Sequence, residues 1–344
     1  MSQLRRRRVL VDAPGSISIV EEDVPSLLPG EALVRLVYAG ICGSDKAGVQ
    51  GTHAFFTPPF YPGHEVVGEV LEVARGGCPH SIAAGDRVVV EPTIPCMGCK
   101  MCQQGRENLC EQMLFFGCGY REAGMADVFS VPADRLHRVP DSMTDRQAAL
   151  VEPAATPFHA ARIAGPLENR AVVIIGAGTI GLLLLAIVHA QRPSKVVVID
   201  PKESSRHLAL ALGADVALDA TGSSAEAARA ALGESADVVF DCVAHESTLR
   251  DAVAMAMKGG TVVVVGGARE EATIQLPQIQ EFEVRILGSI TYTRADFEGA
   301  LRVIGDGLVD PDDFISSVHD LTDAPSVLVP GVVDGMVKVL IRAD

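Results

Sequence analysis

The chain has 344 residues, 48% of them hydrophobic and 21% charged, which leaves room for two domains and a sizeable core and shows no low-complexity tract or obvious internal repeat. A formal net charge of −15 argues against nucleic acid or an anionic membrane surface as a partner. Eight cysteines are too few for a disulfide scaffold of this length, and the clustering of four of them suggests metal instead.

In chain order, Arg5-Arg6-Arg7-Arg8 reads as a solvated run abutting the first strand. No apolar segment of signal-peptide type follows it, so a cytoplasmic location is expected. Residues 9–11, 17–19, 32–37, 66–73 and 87–90 are short β-prone runs bounded by turn residues, and together they predict a partly open β-barrel domain. The pattern changes after Pro140. Residues 148–164 look helical, and strands are predicted at 172–175, 196–199, 216–218, 238–241, 261–265 and 284–287. The helices between them include 203–212, closed by Gly213, and 245–257, closed by Gly259-Gly260. This alternation predicts an α/β domain with six parallel strands, doubly wound. The expected domains are 1–155 and 156–295. From Asp296 a helical stretch, an acidic loop and a last strand at 337–341 suggest that 296–344 returns to the first domain. Residues 284–290 are apolar enough to pair across a subunit interface.

The segment from Ala171 to Asp200 is the organising stretch. An apolar run enters Gly176-Ala177-Gly178-Thr179-Ile180-Gly181, a second apolar segment follows, and Val196-Val197-Val198-Ile199 ends on Asp200. In a strand–turn–helix–strand reading, Gly176 makes the tight turn, Gly178 admits a pyrophosphate to the backbone, and Gly181 lets helix and strand pack closely. Asp200, about 20 residues beyond the last glycine, suits the adenosine ribose hydroxyls and would repel a 2′-phosphate, which favours NAD over NADP. The uncharged stretch 171–191 is also long enough to cross a bilayer, but the glycines at fixed offsets and the early β-branched residues argue against a span.

Two constellations point to metal. Cys96-x2-Cys99-x2-Cys102-x7-Cys110 offers four thiolates on one short lobe, the donor set of a closed tetrahedral structural zinc. The second is dispersed: Cys42 in Gly40-Ile41-Cys42-Gly43-Ser44-Asp45, His64-Glu65 after Pro62-Gly63, and Glu152 in Val151-Glu152-Pro153. Thiolate, imidazole and carboxylates make the mixed set that a catalytic zinc with an open position needs. Spacing alone does not assign them, because a buried cysteine and a satisfied core histidine are the commoner readings of such residues.

These motifs, with Gly85-Asp86-Arg87-Val88, Leu212-Gly213-Ala214-Asp215 and Gly259-Gly260, occur in an order that resembles the zinc-containing medium-chain dehydrogenases, nearest to the sorbitol and threonine dehydrogenase branch, over essentially the whole chain. The resemblance implies a GroES-like β-barrel catalytic domain and a Rossmann domain. It implies that Cys42 and His64 ligate a catalytic zinc, that Glu65 is a ligand exchangeable with water, and that Glu152 is a ligand or holds zinc-bound water. Ser44 matches the hydroxyl that hydrogen-bonds the substrate oxygen. Ile180, Val265-Gly266-Gly267 and Thr291-Tyr292 sit where the family touches NAD. Two zinc ions per subunit, a homodimer or homotetramer, and a polyol, cyclitol, aminated sugar-like alcohol or 3-hydroxy amino acid interconverted with its ketone are expected on the same ground. Two positions depart from the pattern: Ala47 replaces a histidine that ends the proton relay, and Ser205-Arg206 shifts an arginine by one residue. Phe55, Phe56, Phe60, Phe115 and Phe116 are candidates for the substrate pocket because they stand near the metal residues in sequence. The competing readings are a zinc-independent reductase of activated alkenes or quinones, and a non-catalytic NAD-binding protein that keeps only the structural zinc.

Overall fold

In the computed structural model, described over residues 5–24, 26–75, 82–220, 224–268 and 270–343, the first strand already departs from expectation. β1 (Arg5–Ala13) includes the arginine run and pairs antiparallel with β2 (Ser16–Asp23). Far from being solvated, Arg6 and Arg8 are buried, at 3% and 8% exposure. Arg6 reaches Glu22 at 2.6 Å and Glu122 at 2.5 Å, and Arg7 reaches Asp127 at 2.8 Å. Strand alternation sends every second arginine inward, and carboxylates distant in sequence compensate the charge.

The next strand, β3 (Glu31–Ile41), is the spine of the first unit. Helix α1 (Gly43–Val49) follows, then β4 (Glu65–Val73), β5 (Arg87–Val90), the two-residue β6 (Thr93–Ile94), helix α2 (Lys100–Gln103), β7 (Leu114–Phe115), β8 (Val128–Pro132) and β9 (Leu136–Arg138). β3 pairs antiparallel with β4 and β8, and β4 continues through β5 to β9. β6 and β7 pair with each other at the two ends of the four-cysteine segment. The inward faces of β3, β4, β5 and β8 enclose a core that includes Val34, Val66, Val88 and Phe129.

The predicted helix at 148–164 is two helices, α3 (Asp145–Ala148) and α4 (Val151–Ala164). A capping box fixes the first start: Thr144 accepts from the backbone of Gln147, whose side chain answers the backbone of Thr144. The second unit then alternates β10 (Ala171–Ile175), α5 (Thr179–His189), β11 (Lys195–Ile199), α6 (Glu203–Ala211), β12 (Val216–Leu218), α7 (Ser224–Leu232), β13 (Ala236–Asp241), α8 (Glu246–Met255), β14 (Ala256–Val264), α9 (Leu276–Phe282) and β15 (Arg285–Gly288). All six strands are parallel, in the order β12-β11-β10-β13-β14-β15. The uncharged stretch 171–191 is therefore a strand, a turn and an 11-residue helix. Among the described residues no helix is long and apolar enough to cross a membrane.

Helix α8 stops at Met255, earlier than expected, and Gly259-Gly260 lie inside β14, where the register against β13 shifts. The glycines accommodate an irregularity in the strand and do not cap the helix. After α10 (Arg294–Gly305) the stretch read as an acidic loop contains a further strand, β16 (Ile315–Asp320), parallel to β17 (Lys338–Arg342). Its Ser-Ser-Val-His-Asp composition hides it from an apolar-periodicity reading. β17 pairs antiparallel with β3, so the chain's last strand joins the sheet that holds its third. By contact, Met1–Glu152 with Ala300–Asp344 form one unit and Pro153–Gly299 the other.

Candidate active site

The four-cysteine lobe is built locally. Cys96, Cys99, Cys102 and Cys110 bring their sulfurs within 4.8 Å of one another. Backbone N–H groups point at these sulfurs: Cys96 N donates to Cys110 Sγ at 3.2 Å, Cys99 N to Cys96 Sγ at 3.3 Å, and Gln112 N to Cys110 Sγ at 3.3 Å. Such donors favour thiolate. Backbone N–H donation led by that of Cys102 brings the Cys99 thiol down to about 6, while burial pushes Cys102 up to about 12. Four sulfurs in a tight cluster, with no disulfide among the described cysteines, fit a closed zinc shell.

The second centre is assembled from β3, β4 and β17. Cys42 caps the N-terminus of α1, and its N–H donates to Asp45 Oδ2 at 2.9 Å. His64 immediately precedes β4 and Glu65 opens it, and ligand atoms of Cys42, His64 and Glu65 lie within 4.8 Å of one another. Gly40 is required here because a Cβ at that position would overlap the Glu65 carboxylate. Glu65 is held by a residue that no motif revealed. Lys338, 2% exposed on β17, donates to both Glu65 oxygens at 2.7 Å and to Ile41 O at 3.2 Å. Burial opposes its charge, but Glu65, with Cys42 and Glu152 further off, raises the ammonium above its ordinary value. The only sequence signal for it was a lysine inside the otherwise apolar run Val337-Lys338-Val339-Leu340-Ile341.

Around His64, Asp45 is fully buried, and its Oδ1 stands 3.6 Å from His64 Nδ1 with no hydrogen-bond partner. Cys118 Sγ lies 3.7 Å from the same nitrogen, and Ser44 Oγ lies 3.5 Å from Nε2. Burial disfavours a charged imidazole, yet Cys118 and Asp45 outweigh it and raise His64 well above its ordinary value. The thiolate, imidazole and carboxylate donors of Cys42, His64 and Glu65 are those zinc accepts, and the unpartnered Asp45 Oδ1 leaves buried negative charge for a cation to offset. Glu152, 8% exposed in the first turn of α4, lies outside the set of three ligands, though its charge is felt at Lys338.

Of the phenylalanines, Phe115 stands edge-on to His64 with ring centroids 5.8 Å apart. Phe116 and Phe60 are core residues at 0% and 3% exposure. Phe55 is 83% exposed, and Phe56 lies tilted against His53 and edge-on to Phe60. Of the five phenylalanines read from sequence, Phe115 is the one whose ring contact with a metal-ligand candidate, His64, is seen among the described residues.

In the second unit the glycine turn has the geometry a phosphate needs. Gly176 has φ +94°, a Cβ on Gly181 would overlap the Gly176 carbonyl, and nothing stands within 4 Å of where a Cβ on Gly178 would be. Ile180 is partly exposed in the first turn of α5. Asp200 immediately follows β11, where its carboxylate accepts from Ala177 N at 2.7 Å and Lys202 N at 2.8 Å, so it is tied to the glycine turn and retains lone pairs for further donors. Arg206 is turned to the backbone oxygens of Asp200 and Pro201 and to Asp219. At the end of β14, Val265 and Gly266 both donate to Asp241 O, and Gly267 borders open space. Thr291 has φ +45°. Tyr292 is 1% exposed as a whole residue, and its ring packs on Phe297.

A barrel unit with a mixed-donor metal centre and a doubly wound unit with a phosphate-binding turn define an oxidoreductase of the alcohol dehydrogenase type. Residues 28–141 match the alcohol dehydrogenase GroES-like domain, and 179–306 match the zinc-binding dehydrogenase domain. The chain belongs to the zinc-containing medium-chain alcohol dehydrogenases. It is 31% identical to the sorbitol dehydrogenase of Bombyx mori, covering 95% of this chain and 96% of that one, and 31% identical to D-xylulose reductase A of Aspergillus niger, covering 86% and 85%. Among solved structures, a Sinorhizobium meliloti chain described as a zinc-binding dehydrogenase bound to NADP superposes with a TM-score of 0.93 at 30% identity, covering 99% of this chain and 100% of that one.

Proposed function

We propose that the chain is a zinc- and NAD-dependent dehydrogenase that interconverts a polyol-like secondary alcohol and its ketone, with Cys42, His64, Glu65 and Glu152 serving the catalytic metal. The observation that carries this reading is the convergence of Cys42, His64 and Glu65 within 4.8 Å, with Lys338 holding the carboxylate. When bound, zinc supplies Lewis acidity that favours ionisation of the alcohol, and NAD accepts the hydride. Cys42 and His64 are the permanent donors. Glu65 shares its charge with Lys338 and is the donor that exchanges with water, while Glu152 is a further ligand or orients that water. Ser44 accepts a hydrogen bond from the substrate hydroxyl and, as it takes that proton, passes its own outward to solvent, since Ala47, 2% exposed, carries no group that could relay it. Phe115 offers an apolar wall beside the metal.

On the second unit Gly176, Gly178, Ile180 and Gly181 receive the pyrophosphate, and Asp200 the adenosine ribose. Val265, Gly266, Gly267 and the Thr291-Tyr292 turn serve the other half of the dinucleotide. The Asp200 carboxylate supports NAD over NADP even though the S. meliloti relative carries NADP. β15 lies at the sheet edge with Ile290 45% exposed just beyond it, which supports a homodimer or homotetramer.

The test is reduction of NAD and of NADP across polyols, cyclitols, amino-cyclitols and 3-hydroxy amino acids, with and without chelator, beside metal content. A chelator-sensitive signal with NAD on one class is the expected result. Silence with a single zinc per chain would favour the non-catalytic binding protein, and turnover that survives loss of metal would favour the zinc-independent reductase.

A further inference from the structure

The loop 289–293, between β15 and α10, is unfavourable by itself. Thr291 is β-branched and holds φ +45°, a left-handed conformation that such residues avoid. Within the loop, Ser289 Oγ and Thr291 Oγ1 are both buried with no hydrogen-bond partner. A segment with strained backbone and unsatisfied hydroxyls persists only where its surroundings impose it.

The imposing group is Asp296. It is fully buried, and its Oδ2 accepts from Thr293 Oγ1 at 2.6 Å and from Thr293 N at 3.0 Å, which fastens the end of the loop to the first turn of α10. The same carboxylate is gripped from α4: His159 Nδ1 stands 2.7 Å from Oδ2, and Arg162 approaches Oδ1 at 2.5 Å and Oδ2 at 2.9 Å. Although burial would raise it, these donors hold the carboxyl below the ordinary carboxylate range, as a permanent anion. A helix cap needs only Thr293 and Asp296. The additional histidine and arginine from α4 make a brace, which fixes the loop's exit against a second element.

The loop's place gives the brace a purpose. It leaves the C-terminal end of β15, and Ser289 N donates to Val264 O of the neighbouring β14. In a doubly wound sheet the ligand lies outside the C-terminal strand ends, and the two halves of a dinucleotide fall on opposite sides of the central strand. Asp200 and the glycine turn take the β10–β11 side. The β13–β15 side remains for the nicotinamide half.

We infer that Asp296 is a positioning residue, braced by Arg162 and His159, which keeps the strained loop 289–293 in the shape that receives the nicotinamide half of the cofactor. This inference rests on the dinucleotide reading above. In the zinc-loaded full chain, NADH and ADP-ribose affinities are compared by titration, together with Tm, for Arg162→Leu, Asp296→Asn and Thr291→Gly. ADP-ribose lacks the nicotinamide ring and reports only the other half of the site. Arg162→Leu leaves the Thr293–Asp296 cap intact, so it remains informative if Asp296→Asn fails to fold. The expected result is an NADH Kd raised by about ten-fold in Arg162→Leu and Asp296→Asn, with ADP-ribose affinity unchanged. Thr291→Gly relieves the positive φ, so its Tm holds or rises while NADH affinity falls, a combination that a purely structural role would not give. Equal loss of both ligands, or no loss of either, would overturn the positioning role while leaving dinucleotide binding in place. Wild-type protein that binds neither ligand would instead overturn the dinucleotide reading, and this inference with it.

Discussion

The two thiol-bearing centres of the first unit are built on opposite principles. The four-cysteine lobe takes every donor from a span of 15 residues, residues 96–110, and its sulfurs are tuned by neighbouring backbone N–H groups. The Cys42 centre takes donors from two elements and depends on charge brought by a third, because Lys338 lies 273 residues from the Glu65 it neutralises. A closed set of four like donors can be local because it has only to bind. A centre that must admit a substrate keeps fewer donors and leaves their orientation to residues that never touch the metal, here Asp45 and Lys338.

The largest effect that separates the two centres is expected from Cys42→Ala. Turnover should disappear and zinc should fall by one per chain, while NADH affinity and the lobe's own zinc remain; retained turnover would remove Cys42 from the chemistry. Next is Lys338→Met, which strands the buried Glu65 carboxylate. Breaking a buried pair costs about 3–5 kcal/mol, and here most of that cost should appear in the metal-free protein and shrink when zinc is loaded, since the cation replaces the lysine as partner. Denaturation with and without zinc measures the difference, and an equal loss in both states would mean that Glu65 does not face the metal.

Cys96→Ala should act in the reverse sense, lowering Tm and removing the other zinc while kcat per folded molecule is kept. The smallest effect is a matter of pH. The Cys99 thiol, held down at about 6, is a thiolate above that value and takes up its proton as pH falls through it. In the zinc-stripped lobe of Cys42→Ala protein, rebinding of added zinc should therefore weaken as pH falls below about 6, read by competition with a chromogenic chelator. A flat profile from pH 5 to 8 would show that Cys99 is not the thiol that yields first.

The same contrast explains what could be read without coordinates. Residues 87–90 and 216–218 were legible as strands because turn residues bound them tightly, and the six-stranded α/β alternation followed from such local signals. The four cysteines and the glycine turn were legible because each motif does its work within a few residues. The burial of Arg6 was not, since its partners Glu22 and Glu122 stand 16 and 116 residues away. The role of Lys338 failed for the same reason. Phe116 shows the opposite case, in which a residue close in sequence to the chemistry turns into the core. Periodicity also missed β16, whose pairing with β17 supplies the order that its polar residues do not announce.

That β17 closes onto β3 also sets an order of events during synthesis. The cysteine lobe is complete once Cys110 has left the ribosome and can take up its metal at once. Glu65 must wait for Lys338, and at about 5–20 residues per second the 273 residues from its neighbour up to and including Lys338 occupy the ribosome for tens of seconds. A chain cut short of β17 would thus carry all four cysteines of the lobe but leave Glu65 without the ammonium that neutralises it.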